Sequence, residues 1–451
     1  MTSSVEDRTI SSEPPTTTFR RISAPPAAKK PPALPRTRRT VVSPVVARTL
    51  RIPATGVARE RSVRFRIGLT WALLVLNVLT FYPHTWSGQP LILPIPSIIG
   101  KAITQGALPG ALVMAVFVNR RLIVKPTIFL ALISLLVLEA LVNALQVRHF
   151  GTIYRSFRLG GFIFALWLLS PWWGRKDLLL VRSHVITTTV VLGFTLLGLI
   201  ISPSRALGGG RLGGAFWPTP PPQVAEFAAV TLGLVVVMWL AARFSGWGTL
   251  FVTGIAVLIL YLSHTRTAIL AMVLGIFVAG LSMISSEARV RKLFASIGIV
   301  ATIVAVTLSG VVLTWLTRGQ GTQQLTELTG RTATWSAVIN IPRNLFQTIF
   351  GFGLSNKSVN GLPVDSNWLA SFLDQGVFGV VVSASALLFV LIAAYFQPRG
   401  VKRSLALFLA TYCLVASFTE TGFSDASTYL LELTLAASLL VPSGVMNRRQ
   451  E

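Results

Sequence analysis

The sequence predicts an all-α, polytopic membrane protein with about twelve transmembrane helices and one long extracytoplasmic loop. Three observations carry this expectation. Of 451 residues, 52% are hydrophobic and 12% charged, where a soluble chain carries about 25% charged residues. The apolar residues fall in blocks close to the roughly 20 residues that cross a bilayer as a helix. Between two such blocks, the interval 316–375 stays polar over a length that ordinary connections rarely reach.

Along the chain, residues 1–64 come first. PPTTTFRRISAPPAAKKPPALPRTRRT has too few large apolar groups to offset chain entropy, so it is expected to be disordered. It is too long and too basic before the first apolar block for a cleavable signal peptide. It reads as a positive cytoplasmic tail that orients the first helix, or as an arm for anionic lipid or a partner. Apolar blocks follow at 66–82, 97–119, 126–146, 158–173, 184–202, 224–243, 248–263, 266–284, 294–315, 376–396, 403–419 and 427–442. The transmembrane domain thus covers 65–443, and 444–451 forms a short tail.

Charge sets the expected orientation. The net charge is +25, and residues 1–66 alone carry 14 Lys+Arg against 4 Asp+Glu. The remainder sits in short loops between apolar blocks, which argues for membrane topology rather than nucleic-acid binding. A basic N-terminus with an even span number puts both termini in the cytoplasm. Alternate loops agree: Arg120, Arg121 and Lys125, then Arg175, Lys176 and Arg182, lie inside, while 83–96 and 420–426 lack Lys and Arg. The exceptions are outside positions Arg148, Arg155, Arg158, Arg205, Arg211, Arg266, Arg318, Arg331, Arg343 and Lys357. Basic residues there suggest an anionic ligand. Pairing with Glu226, Glu327, Asp365, Asp374, Glu420 or Asp425 is the competing explanation.

Three outside segments stand out. GGGRLGGAFWPTPPPQVAEF, from Gly208, combines backbone that a ligand can approach closely with Arg211. LSHTRTAIL places Ser263, Thr265 and Arg266 at a helix boundary, where a near-membrane arginine needs a partner. The long loop carries GRTATW with Arg331 and Trp335, then GFG with Gly353, then VDSNWLASFLDQGVFG with Asp365 and Asn367. The lone cysteine, Cys413, excludes a disulfide within the chain, and the four histidines show no metal-ligand spacing.

In order and on one face, GRLGGAFWP, SHTR, GRTATW, GFG, DSNWL and DQGVFG resemble the O-antigen ligase and O-antigen polymerase superfamily. The resemblance covers roughly residues 200–400. It implies a glycosyltransferase, working without metal or nucleotide sugar, in the plasma (inner) membrane of a bacterium. Members take a glycan from a polyprenyl-diphosphate carrier on the outer face and pass it to a glycan, lipid or protein acceptor. Membrane lipids and other polysaccharide-assembly proteins are further expected partners. The leaving group is a pyrophosphate, so arginines must stabilise its charge; Arg211, Arg266 and Arg331 match, with Ser263, Thr265, Trp335 and Gly353 in support. The carrier's tail would lie in a lateral groove between helices.

The acceptor hydroxyl needs a base or orienting group. Ligases carry a histidine before the loop asparagine; here Ser366 precedes Asn367, and no histidine lies in the loop. This favours polymerase-like members, with Asp365 or Glu420 on the acceptor side. A solvated aspartate, and a glutamate that only neutralises an arginine, are the competing readings. Two other functions compete. Polyprenyl-monophosphate glycosyltransferases usually hold an acid in their first external loop, and PHTWSGQPLILPIP has none. A transporter or glycolipid flippase would explain the spans but not the polar loop, and would place paired ionisable groups inside the bilayer, where only Glu139 is evident.

Overall fold

The computed structural model describes residues 54–442 apart from 245, 286, 293–295, 297–330, 356 and 360. Its elements are α1 (Ala54–Val78), α2 (Ser97–Val118), α3 (Ile128–Val147), α4 (Phe150–Leu169), α5 (Leu179–Ile201) and α6 (Pro203–Ala206). A hairpin follows, β1 (Leu207–Gly208) with β2 (Arg211–Leu212), then α7 (Pro221–Leu240), α8 (Trp247–Ser263) and α9 (Arg266–Met283). After the undescribed stretch come α10 (Arg331–Asn340) and α11 (Leu345–Phe350), and a second hairpin, β3 (Ser358–Val359) with β4 (Leu362–Pro363). The chain closes with α12 (Asn367–Phe396), α13 (Val401–Ala416) and α14 (Thr428–Leu440). The architecture is helical with two minimal antiparallel hairpins.

Among the described residues, α2, α3, α5, α7, α9 and α12 are long and apolar enough to cross a membrane. α8 and α14 are shorter apolar helices, and α1, α4 and α13 overlie other expected spans. The expected span 294–315 lies, apart from Ser296, outside the described residues, as do 1–53 and 443–451. Large apolar side chains face outward along these helices, among them Phe157, Phe164, Ile186, Phe194, Ile200, Leu250 and Phe251. Such a belt suits hydrocarbon, not water.

α7 is the centre. Its span is 83% buried, against 28–44% for the other five, and it packs on α5, α8, α9 and α13. Its sequence is apolar all round, the pattern of a helix enclosed by others. The fully buried Phe408 of α13 wedges against bare backbone on two helices. A Cβ on Gly233 of α7 would lie 1.8 Å from its ring, and one on Gly275 of α9, 2.9 Å.

Two faces of the bundle can be told apart by their hydrogen bonds. On one, α1 ends where Arg158 Nη2 donates to Asn77 O (3.0 Å), Gln223 Nε2 to Val78 O (2.9 Å) and Trp217 Nε1 to Thr80 O (3.0 Å). Arg158 in the middle of α4 and the start of α7 thereby meet the end of α1. This is called the loop face below. On the opposite face, Gly174 N donates to Ser438 O (2.8 Å), Gln397 Nε2 to Leu440 O (2.6 Å), and Lys402 Nζ to Gly174 O.

Two boundaries differ from the sequence reading. α1 begins at Ala54, inside the interval expected to lack structure; Glu60 pairs with Arg64 one turn on (2.7 Å), and Arg64 reaches Asp177 (3.5 Å). The interval expected as a loop contains α10, α11 and a hairpin, and its last residues, Asn367–Gln375, are already helix. Polar letters there suggested loop, but Ser371, Asp374 and Gln375 are buried. Gly376 (φ 62°, ψ −159°) breaks α12 where the expected span was to begin.

Candidate functional site

The first half of the site is built by the glycine-rich segment. β1 and β2 are joined by Gly209 and Gly210 (φ 59° and 73°), a two-residue turn with both φ values positive, which favours glycine at both places. The turn sends Arg211 to the boundary of α8 and α9. Its Nε donates to Ser263 O (3.2 Å) and its Nη2 to Thr265 Oγ1 (3.1 Å). Ser263 is fully buried, and Thr265 Oγ1 donates to Ser263 O (3.3 Å). His264 closes α8 in the left-handed region (φ 49°), so α9 starts at once with Arg266. Nε and Nη2 of Arg266 are buried and make no hydrogen bond among the described residues. Buried guanidinium donors of this kind are costly unless a ligand or water takes them.

The same segment roofs an apolar cleft of about 440 Å³. Ala72 and Val75 of α1, with Leu79 just past its end, form one wall, Val190 and Phe194 of α5 another, and Trp217 completes the lining. Thus one loop, 207–219, lines an oily cleft and delivers Arg211 to the α8–α9 boundary from which Arg266 starts.

The second half surrounds the start of α12. Asn367 is buried, and its Oδ1 accepts from Gly422 N (3.2 Å) and Phe423 N (2.9 Å), while its own N donates to Ser417 O (2.9 Å). It braces the 417–427 segment. Asp365 is half-buried just before it, and Glu420 is half-buried in the segment it braces. Gly353 N donates to Asp374 O (2.8 Å) and Phe352 N to Leu373 O (2.9 Å), so GFG caps the short first part of α12. Trp335 is half-buried on α10. Arg331 opens α10, and its side chain lies outside the described residues.

The second half also holds a charge cluster that motif reasoning missed. Asp425 Oδ2 meets Lys357 Nζ (3.7 Å) and Arg155 Nη1 (3.9 Å), and its Oδ1 accepts from Ala426 N (2.7 Å). Arg158 donates to Ala426 O (3.1 Å). Burial pushes the Asp425 carboxyl up, but Lys357, Arg158 and Arg155 outweigh it and hold the group below the usual aspartate range. The misplaced basic residues were the available signal. The structure shows that Arg158 serves backbone carbonyls, as does Arg343, which donates to Phe372 O and Val338 O (both 3.0 Å) and lies 3.9 Å over the Phe372 ring.

A second missed group sits at the break in α12. Asn143 Nδ2 donates to Glu139 Oε1 and to Phe350 O, Gln375 Nε2 to Leu136 O (3.1 Å), and Ser355 Oγ to Asp374 Oδ1 (2.7 Å). Glu139 on α3 was visible as a mid-span acid; its neighbours on α11 and α12 were not.

The structure therefore brings Arg211, Ser263, Thr265 and Arg266 together, and Asn367 and Glu420 together. Chemically, the first group can receive an anion, and the cleft can receive an apolar chain. The second is a braced turn with carboxylates at its rim. No family model matches the chain, and no curated protein matches it.

Proposed function

We propose that the chain is a membrane glycosyltransferase that transfers or polymerises a glycan from a polyprenyl-diphosphate carrier. It crosses the plasma membrane of a bacterium about twelve times, with both termini cytoplasmic and the loop face outside. The described helices support this count: α9 ends on the face opposite to that on which α12 begins. The observation that carries the reading is the double role of loop 207–219. The carrier is a long apolar chain ending in a diphosphate, and here an apolar cleft of about 440 Å³ is lined by residues of the same loop that carries Arg211 to the α8–α9 boundary, where Arg266 begins α9.

In this reading the prenyl tail lies between α1 and α5. Arg211, pre-aimed by Ser263 and Thr265, and Arg266, with donors left over, bind the diphosphate and stabilise the charge that builds as the sugar C1–O bond breaks. The acceptor oxygen bonds to C1, and its proton passes to a carboxylate, for which Asp365 and Glu420 are the candidates. The missing loop histidine favours polymerisation over ligation. A transporter or flippase is the second reading; the buried pair Glu226 and Glu432 is the observation that favours it.

The test is transfer from a lipid-linked donor by purified protein in liposomes. Arg266→Ala is expected to lower transfer by about a hundredfold or more, the usual effect of removing a donor to a developing anion, with lipid-linked precursor building up in cells. Ala72→Trp, which fills the cleft, is expected to raise KM for the prenyl donor and spare kcat. Wild-type polymer and no precursor build-up in the Arg266 variant would sink the proposal. Solute movement without transfer would establish the second reading.

A further inference from the structure

Glu226 lies in the second turn of α7 and Glu432 in the second turn of α14. They are 3% and 0% exposed, and Glu226 acts on Glu432 electrostatically. Among the described residues neither has an ion-pair partner. Oε1 of each carboxyl makes no hydrogen bond among the described residues, and neither does the hydroxyl of Tyr412, which is fully buried and within electrostatic reach of both. Thr428 acts on Glu226, and the Cys413 thiol lies 4.0 Å from Glu432 Oε2. Tyr429 stacks on Tyr412 at 6.4 Å. Glu420, half-buried at the loop face, is the remaining charged group that acts on Glu226.

Two carboxylates enclosed by apolar helices, with no cation, repel each other and have lost their hydration. Two negative charges there would cost several kcal/mol each. One bound proton removes a charge and supplies the missing donor for the open carboxyl oxygens.

We propose that Glu226 and Glu432, with the Tyr412 hydroxyl, form a proton-binding site inside the bundle, filled and emptied through Glu420 at the loop face. The site holds the proton as a carboxyl O–H on one of the two glutamates. It stands apart from the glycosyl-transfer reading, because a transferase that deprotonates a hydroxyl and a proton-coupled transporter would each use such a store.

The test is dicyclohexylcarbodiimide, which adds to protonated carboxyls in apolar surroundings, applied to the full chain in liposomes at about pH 7.5, where an ordinary glutamate is ionised. Peptide mass analysis is expected to find the adduct on Glu226 or Glu432 at about ten times the level on exposed Glu60. Glu226→Gln is expected to confine the adduct to Glu432, and Glu432→Gln to confine it to Glu226. The infrared band of a protonated carboxyl is expected in the wild-type chain and to lose intensity in the double glutamine variant, the buried Glu139 carboxyl keeping a share of it. Should that variant fail to fold, the single variants carry the same reading. Absence of adduct on both residues, or its suppression by added sodium ion, would overturn the proposal, the latter in favour of a cation site. Neither readout depends on glycan transfer.

Discussion

At the scale of single residues, the basic side chains of the loop face divide into two kinds, and Asp425 does the dividing. Lys357, Arg155 and Arg158 converge on it or on its neighbour Ala426, and Arg343 is spent on carbonyls and a ring. Arg266 keeps two donors without partners among the described residues. Charge counting along the sequence marked all of them alike, because it sees which side of the membrane a residue is on but not which neighbour it meets. Asp425→Asn leaves three cations facing a neutral amide. Removing one partner from a buried ion pair costs roughly 3–5 kcal/mol, so thermal unfolding in detergent is expected at a clearly lower temperature. The pH dependence has a definite sign. The Asp425 carboxyl titrates lower in the folded chain than in the unfolded one. Its contribution is therefore complete above about pH 4, the ordinary aspartate value, and is lost as pH falls through the depressed folded value. The Asn variant is expected to lack that acid transition; an identical acid profile in both proteins would remove Asp425 from the account.

At the scale of elements, the break in α12 explains why two sequence motifs occur together. GFG and DQG lie on separate segments, yet their glycines interlock. A Cβ on Gly351 would lie 2.4 Å from Asp374 C, and one on Gly376 would lie 2.4 Å from Ile349 O and 2.6 Å from Gly351 N. Gly376 also holds φ 62°, so Gly376→Ala suffers both strain and overlap. Strain of this kind costs about 1–3 kcal/mol and overpacking about as much again. Gly361→Ala provides the contrast: φ is 78°, but nothing lies within 4 Å of the added carbon. The Gly361 variant is expected to keep most of its stability, and the Gly376 variant to lose folded protein by size-exclusion chromatography. Equal loss in both would mean that backbone strain alone matters and that the interlock does not. Much of this level was legible beforehand. Helices of about 20 apolar residues announce themselves by length, and α2, α3, α5, α7 and α9 lie where the apolar blocks placed them. The first part of α12 did not announce itself, because its Asp374 and Gln375 look like loop residues until Ser355 and Leu136 are seen to receive them.

At the scale of the whole molecule, the chain alternates between two faces, and the chemistry gathers on one. Arg211, Asn367, Glu420 and Asp425 come from distant parts of the sequence and share the loop face because successive helix ends return to it. That gathering was partly legible, since loops 83–96 and 420–426 lack basic residues and the motifs share their side. The pairing of Glu226 with Glu432 was not, because nothing local links two acids on separate helices; only packing around α7 does. The sidedness itself is open to direct measurement. Cys413 is fully buried, and Cys413→Ala gives a background without thiols. Ser358 and Gln89 are exposed on the loop face, Arg121 and Lys176 on the opposite one. Single cysteines at Ser358 and Gln89 are expected to react with a membrane-impermeant maleimide in intact cells. Cysteines at Arg121 and Lys176 are expected to react only after lysis, as the rule that basic loops stay inside requires. Labelling of the second pair in intact cells, with the first pair silent, would turn the molecule over. It would place Arg211 and Arg266 on the cytoplasmic side, and an outer-face donor would then have no route to them.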